Sequence, residues 1–168
     1  MPDYAKLADY EPPVVTRIHA GDGALLAEYA TEKRLFMPTQ AMPPDLIAAF
    51  LSAEDKSFYQ HFGVDLKALS RAIITNISNV GSGRRPIGAS TITQQVAKNF
   101  LLTNEVSVER KIKEAILAIR IERALEKDDI LALYLNDIYL GLSSYGVAAA
   151  ALNYFDKPLD PVSYTHLR

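Results

Sequence analysis

Two short apolar runs, Val14 to Ile18 and Ala24 to Tyr29, flank Gly21-Asp22-Gly23. Apolar segments on either side of a Gly/Asp turn predict a β-hairpin. From Pro43 onward the hydrophobic period becomes helical. Pro44 suits a first helical turn, and Leu46, Ile47, Phe50, Leu51 and Phe58 recur at helical spacing, with Gly63 expected to stop the helix. Leu66, Leu69, Ile73, Ile74 and Ile77 mark a second helix that runs into Asn79-Val80-Gly81-Ser82-Gly83-Arg84-Arg85-Pro86, a flexible basic loop. Ser90 or Thr91 caps a third helix, with Thr91 and Gln94 spaced as a capping box. Ser107 caps a long fourth helix to about Lys127. Asp128 opens a fifth, carrying Ile130, Leu131, Tyr134, Leu135 and Ile138 and closed by Gly141. Tyr145 to Phe155 is a small-residue helix suited to close packing. The reading is mainly α with a small β-hairpin near the start, without internal repeats.

At 168 residues the chain suits one domain with a single core, and 49% hydrophobic with 23% charged residues fits a folded globular protein. It has no cysteine, which excludes disulfides and thiolate metal sites. The net charge of −2 is unevenly spread. Residues 56–98 hold Lys56, Lys67, Arg71, Arg84, Arg85 and Lys98 against the single acid Asp65. Such a stretch either meets an anion, such as phosphate or a lipid head group, or is a solvated basic face. No run reaches the ~20 apolar residues that span a bilayer, and the N-terminus lacks a basic-then-apolar leader pattern. The sequence as it stands is therefore expected to be soluble or peripheral, with any anchor upstream.

Three places carry candidate chemistry. Glu54-Asp55, near the end of the first helix, is followed by Phe58, His61 and Gly63. Among Phe50, Leu51 and Phe58 the Glu54 carboxylate is expected to be partly desolvated and tuned as a base, or the two acids are a surface pair on an amphipathic helix. The fourth helix has two apolar stripes, Ile112, Ala115, Ile116 and Ile119 on one side and Leu117, Ile121 and Leu125 on another, which predicts a largely buried helix. Glu114 heads the second stripe with Arg110 one turn before it, so the two form a structural pair or serve a reaction. Gly88-Ala89-Ser90-Thr91-Ile92-Thr93-Gln94-Gln95, with Lys98 one turn on, is an ordinary capped helix start or a place for a phosphate or sugar. The scattered His19, His61 and His166 do not read as a metal site, and His61 reads as structural.

Taken together these segments resemble the glycosyltransferase domain of class A penicillin-binding proteins. Glu54-Asp55 through Phe58, His61 and Gly63 resembles the family's first motif, and Gly88 through Gln95 is similar to the second. Arg110-Lys111-Ile112-Lys113-Glu114 looks like the third and Ile130 to Asn136 the fourth. Gly141 through Val147, then Tyr154-Phe155, looks like the fifth. The likeness runs from about Pro12 to about Ser163. It implies a mainly α, lysozyme-like glycosyltransferase fold with a small N-terminal hairpin, divided as residues 1–30 with the hairpin, 31–163 as the glycosyltransferase domain, and 164–168 as a tail foreign to it. A smaller, membrane-associated lobe is implied between the first two motifs.

The resemblance implies polymerisation of lipid II with inversion and release of undecaprenyl pyrophosphate, at the periplasmic face of the bacterial inner membrane. Glu54 would be the general base and Glu114 the second carboxylate. Asp55, Phe58, Ser90, Thr91, Gln94, Gln95, Lys98, Arg110 and Lys111 would bind substrate. A divalent cation, Mg²⁺ or Mn²⁺, would help neutralise the leaving group. The implied partners are lipid II, the growing glycan strand, the membrane surface and other cell-wall synthesis proteins, with no nucleic acid. Val106 departs from the Arg that many members carry there, and Arg84 or Arg85 is expected to compensate. After Asp160 the family continues into a Leu/Ala-rich helix where this sequence ends Tyr164-Thr165-His166-Leu167-Arg168. Rival readings are a lysozyme-like enzyme that cleaves peptidoglycan and a non-catalytic fragment that binds lipid II. No transpeptidase half with its Ser-x-x-Lys nucleophile follows, so these residues are expected to show no covalent labelling by a fluorescent penicillin; a labelled band would contradict that.

Overall fold

The computed structural model describes residues 16–23, 25–29, 33–84, 86–102 and 107–159, with backbone alone for 16–19, 25–29 and 33–34. Val14, Val15, Ala24, Arg85, Val106 and 160–168 lie outside the described residues. Among the described residues the chain forms two compact units, 48–131 and 16–47 with 132–159. The fold is mainly α, as the hydrophobic pattern implies.

In the second of these units, β1 (Thr16–His19) and β2 (Leu25–Tyr29) pair antiparallel with an irregularity between Ile18 and His19. The Gly23 N–H donates to the Ala20 carbonyl and closes the expected turn. A second, parallel pairing was not legible in the sequence: β3 (Lys33–Arg34) runs beside β4 (Ser144–Tyr145). Two-residue strands carry no period for a pattern to reveal. Nearby, Asn136 acts as a substitute strand neighbour. Its side-chain oxygen accepts from the Met37 N–H and its amide donates to the Met37 carbonyl, both at 2.8 Å.

The last helix, α6, spans Val147–Phe155 rather than starting at Tyr145, because Ser144 and Tyr145 are spent on β4. Gly146 makes the transition at φ +82°, and a Cβ there would lie 2.6 Å from the Asn136 carbonyl oxygen. Only glycine fits such a conformation and approach. Val147 to Ala151 are then buried as a run of small side chains.

The 48–131 unit contains most of the helical expectations. Helix α1 (Pro44–Glu54) ends nine residues earlier than a stop at Gly63, and the chain continues through a 3-10 turn, Phe58–Gln60. Helix α2 spans Leu66–Ser78, α3 Ile92–Leu101, α4 Val108–Ala124, and α5 Lys127–Asp137. The capping box of Thr91 and Gln94 is formed in full, and Ser107 caps α4 through the Arg110 N–H. The core joins Ile92, Val96 and Ala97 of α3 to Leu117, Ala118 and Ile121 of α4, all buried. Burying each of the larger side chains contributes roughly 1.5–3 kcal/mol.

Helix α4 is not buried on two sides. Its Leu117–Ile121 stripe faces the core, while Ile112, Ile116 and Ile119 are exposed. Periodicity identifies an apolar stripe but not what covers it. Helix α2 shows the same feature more strongly: Leu66, Leu69, Ile73, Ile74 and Ile77 are all exposed, Ile74 at 69%, and Val80 and Ile87 beyond it likewise. Only Ala72 of α2 is buried. Among the described residues no helix is long and apolar enough to cross a membrane.

Asp65 caps α2, accepting from the Lys67 and Ala68 N–H groups at 2.9 Å each. The Ala68 N–H is the main cause that holds its carboxyl below the ordinary 3.8, joined by the Ser57 hydroxyl, the Lys67 N–H and His61 and opposed by partial burial. A lowered folded value means stability that is complete above the unfolded value and lost as pH falls through the folded one. Asp65→Ala is expected to cost about 1 kcal/mol at neutral pH. In urea titrations the gap to wild type should close in the acid range below 3.8; a gap independent of pH would show that the charge plays no part.

Candidate active site

The site is assembled around the first turn of α3. A helix begins with N–H groups that have no acceptor inside it, and a buried start must find them elsewhere. Asp55 supplies one acceptor: its Oδ2 takes the Ile92 N–H at 3.0 Å. His61 lies on the same carboxylate, with Nε2 3.0 Å from both oxygens. An ionised carboxylate only accepts, so Nε2 carries the proton. Thr91 supplies a second acceptor, to the Gln94 N–H, while its own hydroxyl donates to the Gly63 carbonyl at 2.6 Å. Gly63 adopts φ +87°, and a Cβ on it would fall 2.7 Å from the Ala118 carbonyl of α4. The glycine is thus the point where the loop after α1 touches the backbone of α4.

Because α1 ends at Glu54, Phe58 is not one helical turn further along the same face. Phe58 turns inward, 1% exposed, whereas Glu54 is exposed. The apolar enclosure expected around Glu54 is therefore not formed. Its carboxylate is fixed by a polar contact instead: the Gln95 side-chain amide donates to Glu54 Oε2 at 3.0 Å. Gln95 stands one turn into α3, so the anchoring of that helix start sets the direction of this bond.

A second polar group lies where α4 begins. Glu114 is 2% exposed, with Arg110 Nη1 3.0 Å from one oxygen and Lys111 Nζ 2.7 Å from the other. The Arg110 contact lies off the hydrogen-bond line and is electrostatic, while Lys111 donates. Lys111 also donates to the Ser90 hydroxyl at 2.7 Å, and its side chain is 49% exposed. The Arg110–Glu114 pair is legible from the i,i+4 spacing, and Lys111 joins it through the i,i+3 spacing.

The residues anticipated from the sequence therefore fall into two sets. Glu54, Ser90, Gln95, Lys98, Arg110 and Lys111 keep side-chain surface or lie at its edge. Asp55, Phe58, Thr91, Gln94 and Glu114 are buried. The expectation that Asp55, Phe58, Thr91 and Gln94 contact substrate meets side chains turned into the protein, where they hold the frame. Among the described residues no three His, Asp or Glu side chains converge to hold a metal ion. Asp55 is engaged by the Ile92 N–H and His61, and Glu114 by Arg110 and Lys111.

An exposed, hydrogen-bonded carboxylate and a group of cations gathered at one helix start suit transfer of a sugar from a phosphorylated donor. Comparison with known proteins gives the family. The family described as Transglycosylase matches residues 22–166. The chain is 58% identical over 163 residues to penicillin-binding protein 1A of Rickettsia felis, covering 97% of this chain and 21% of that protein. It is 45% identical over 167 residues to penicillin-binding protein 1A of Escherichia coli, covering 99% of this chain and 19% of that protein. With the protein of the same name from Aquifex aeolicus the figures are 46% over 157 residues, 94% and 21%. The chain belongs to the transglycosylase family, as the peptidoglycan glycosyltransferase domain of class A penicillin-binding proteins. It spans about a fifth of the length of the curated relatives it matches.

The Glu114 cluster gives a stability prediction. Removing one partner from a buried ion pair leaves charge uncompensated, whereas replacing both by apolar groups is often neutral. Arg110→Met is expected to lower unfolding free energy by about 3 kcal/mol, and Arg110→Met/Glu114→Leu to regain most of it. Urea denaturation of both variants measures this; a double variant no better than the single one would show that Glu114 is held mainly by Lys111.

Proposed function

We propose that the domain polymerises lipid II into glycan strands by inverting transfer, with Glu54 as general base. The observation that carries this reading is the Glu54–Gln95 contact, an exposed carboxylate whose direction is fixed by a donor from a buried-start helix. The acceptor's 4-hydroxyl gives its proton to Glu54, and its oxygen bonds to the anomeric carbon of the donor sugar. The bond from that carbon to the pyrophosphate oxygen breaks, and undecaprenyl pyrophosphate leaves with the electron pair. Such a leaving group needs charge neutralisation rather than a proton. Lys111, half-exposed on Ser90, is suited to turn toward it, with Arg110 and Lys98 as further cations. Glu114 acts in this scheme by holding Arg110 and Lys111 in place.

The exposed apolar faces support a seat at the periplasmic face of the inner membrane. Soluble surfaces rarely show contiguous apolar patches of this kind. On α2 the apolar residues alternate with Lys67 and Arg71, and Arg84 follows, all exposed. A cation-flanked apolar helix face fits an anionic lipid surface. An open cleft of about 450 Å³ at the start of α2, lined in part by Phe62, Val64, Leu66 and Ile119, adds to that face.

Polymerisation of lipid II in detergent with Mg²⁺, read as strands on a gel, tests the reading. Wild type should make strands, and Glu54→Gln should be slower by about 10²–10⁴-fold, the usual worth of a general base. Full activity in Glu54→Gln would remove the base from this mechanism.

A further inference from the structure

Behind the active residues lies a buried charged cluster to which the reaction above gives no task. Glu122, whose side chain is 3% exposed, accepts at one oxygen from the Thr93 hydroxyl at 2.6 Å and from the Lys127 ammonium at 2.7 Å. The same ammonium stands 4.3 Å from the centroid of the Phe58 ring. Three segments meet here: the first turn of α3, the end of α4 with the start of α5, and the loop that follows Glu54. Apolar side chains would fill this space with less desolvation, so a buried ion pair is weak evidence of a stability role. What it supplies is direction, because hydrogen bonds and ion contacts specify orientation where apolar contacts slide.

We propose that Thr93, Glu122 and Lys127 are positioning residues for glycosyl transfer, setting the rotation of the α3 start and hence the aim of Gln95 at Glu54. The proposal rests on the function proposed above for Glu54. Consecutive residues of α3 are tied to different carboxylates, Ile92 by its N–H to Asp55 and Thr93 by its hydroxyl to Glu122. Two ties on different sides fix a helical turn about its own axis, and Gln95 lies two residues on. With side-chain tips about 5–6 Å from a helix axis, a rotation of about 10° moves the Gln95 amide by about 1 Å. A displacement of about 1 Å at a reacting group can cost about 100-fold in rate. On its other side the cluster bears on Phe58, whose N–H donates to the Asp55 carbonyl at 3.0 Å, so it also holds the loop that carries Asp55.

Thr93→Val keeps the shape of the side chain and removes only the hydroxyl, and Thr93→Ser restores it. In the polymerisation assay, with thermal melts confirming folded protein at the assay temperature, Thr93→Val should lower kcat by about 10- to 100-fold. KM for lipid II should stay within about threefold, and Thr93→Ser should lie near wild type. A spectroscopic readout separates this from the function itself. The Gln95 side-chain amide signal, assigned by Gln95→Glu, should shift in Glu54→Gln, and Thr93→Val should shift it in the same direction. An unchanged Gln95 signal in Thr93→Val overturns the proposal, whatever the activity, and so does wild-type kcat in Thr93→Val or failure of Thr93→Ser to rescue. If wild type makes no strands, the proposed function fails and the amide signal alone decides the geometry. If Thr93→Val does not fold, Lys127→Met with Lys127→Arg as its rescue takes its place under the same criteria. Unfolding of both Thr93→Val and Lys127→Met would show a purely structural cluster and overturn the proposal.

Discussion

The start of helix α3 is the constraint from which the site follows. Its residues Thr91 to Gln94 are buried, so water cannot serve the N–H groups that every helix start leaves unmatched. The Asp55 carboxylate reaches across from the end of α1 to take the Ile92 N–H, and the partial positive charge of the helix start favours that negative partner. His61 then shares the same carboxylate, and Gly63 lets Thr91 donate to backbone rather than remain unmatched. An unmade hydrogen bond in such a place costs about 1–3 kcal/mol, so each of these partners is required by the burial of the others.

Much of this was legible because it is local. The capping box at Thr91 and Gln94, the Ser107 cap and the Arg110–Glu114 spacing each lie within one helical turn, and the structure contains all three. The contacts that were not legible join residues far apart in sequence. Thr93 and Glu122 are separated by most of two helices, and nothing in either segment announces the other. The end of α1 was missed for a related reason. Phe58 continues the apolar spacing of the helix, yet it is buried beyond the helix end, with Lys127, Tyr59 and His61 against its ring. A tertiary contact of that sort overrides a local period. The exposed stripes of α2 and α4 show the opposite limit: pattern found the apolar faces but could not say that protein leaves them uncovered.

Charge is sorted by depth in the 48–131 unit. The acids Asp55, Glu114 and Glu122 are the buried members, each held by donors from other segments or by cations of its own helix. Among the basic side chains, Lys111 on Glu114 is half-exposed, and Lys67, Arg71, Arg84 and Lys98 are exposed. Of the three acids it is Glu114 that keeps cations oriented close to the surface, Arg110 and Lys111.

Glu54 and Asp55 are adjacent, alike in chemistry and opposite in placement, and the end of α1 is the reason. Glu54 is the last helical residue and stays on the outside of the turn, while Asp55 has left the helix and folds in beneath it. One carboxylate is consumed in building the frame so that the next can stand exposed without being loose. Gln95 completes the connection: the helix that Asp55 anchors is the helix whose amide holds Glu54. A base enclosed by apolar residues would be tuned by desolvation, but it would also be hidden from a large sugar acceptor. In the proposed reaction, an exposed carboxylate held by one directed hydrogen bond would be open to that acceptor and still oriented, so accuracy in the buried half of the pair would bear on chemistry at the exposed half.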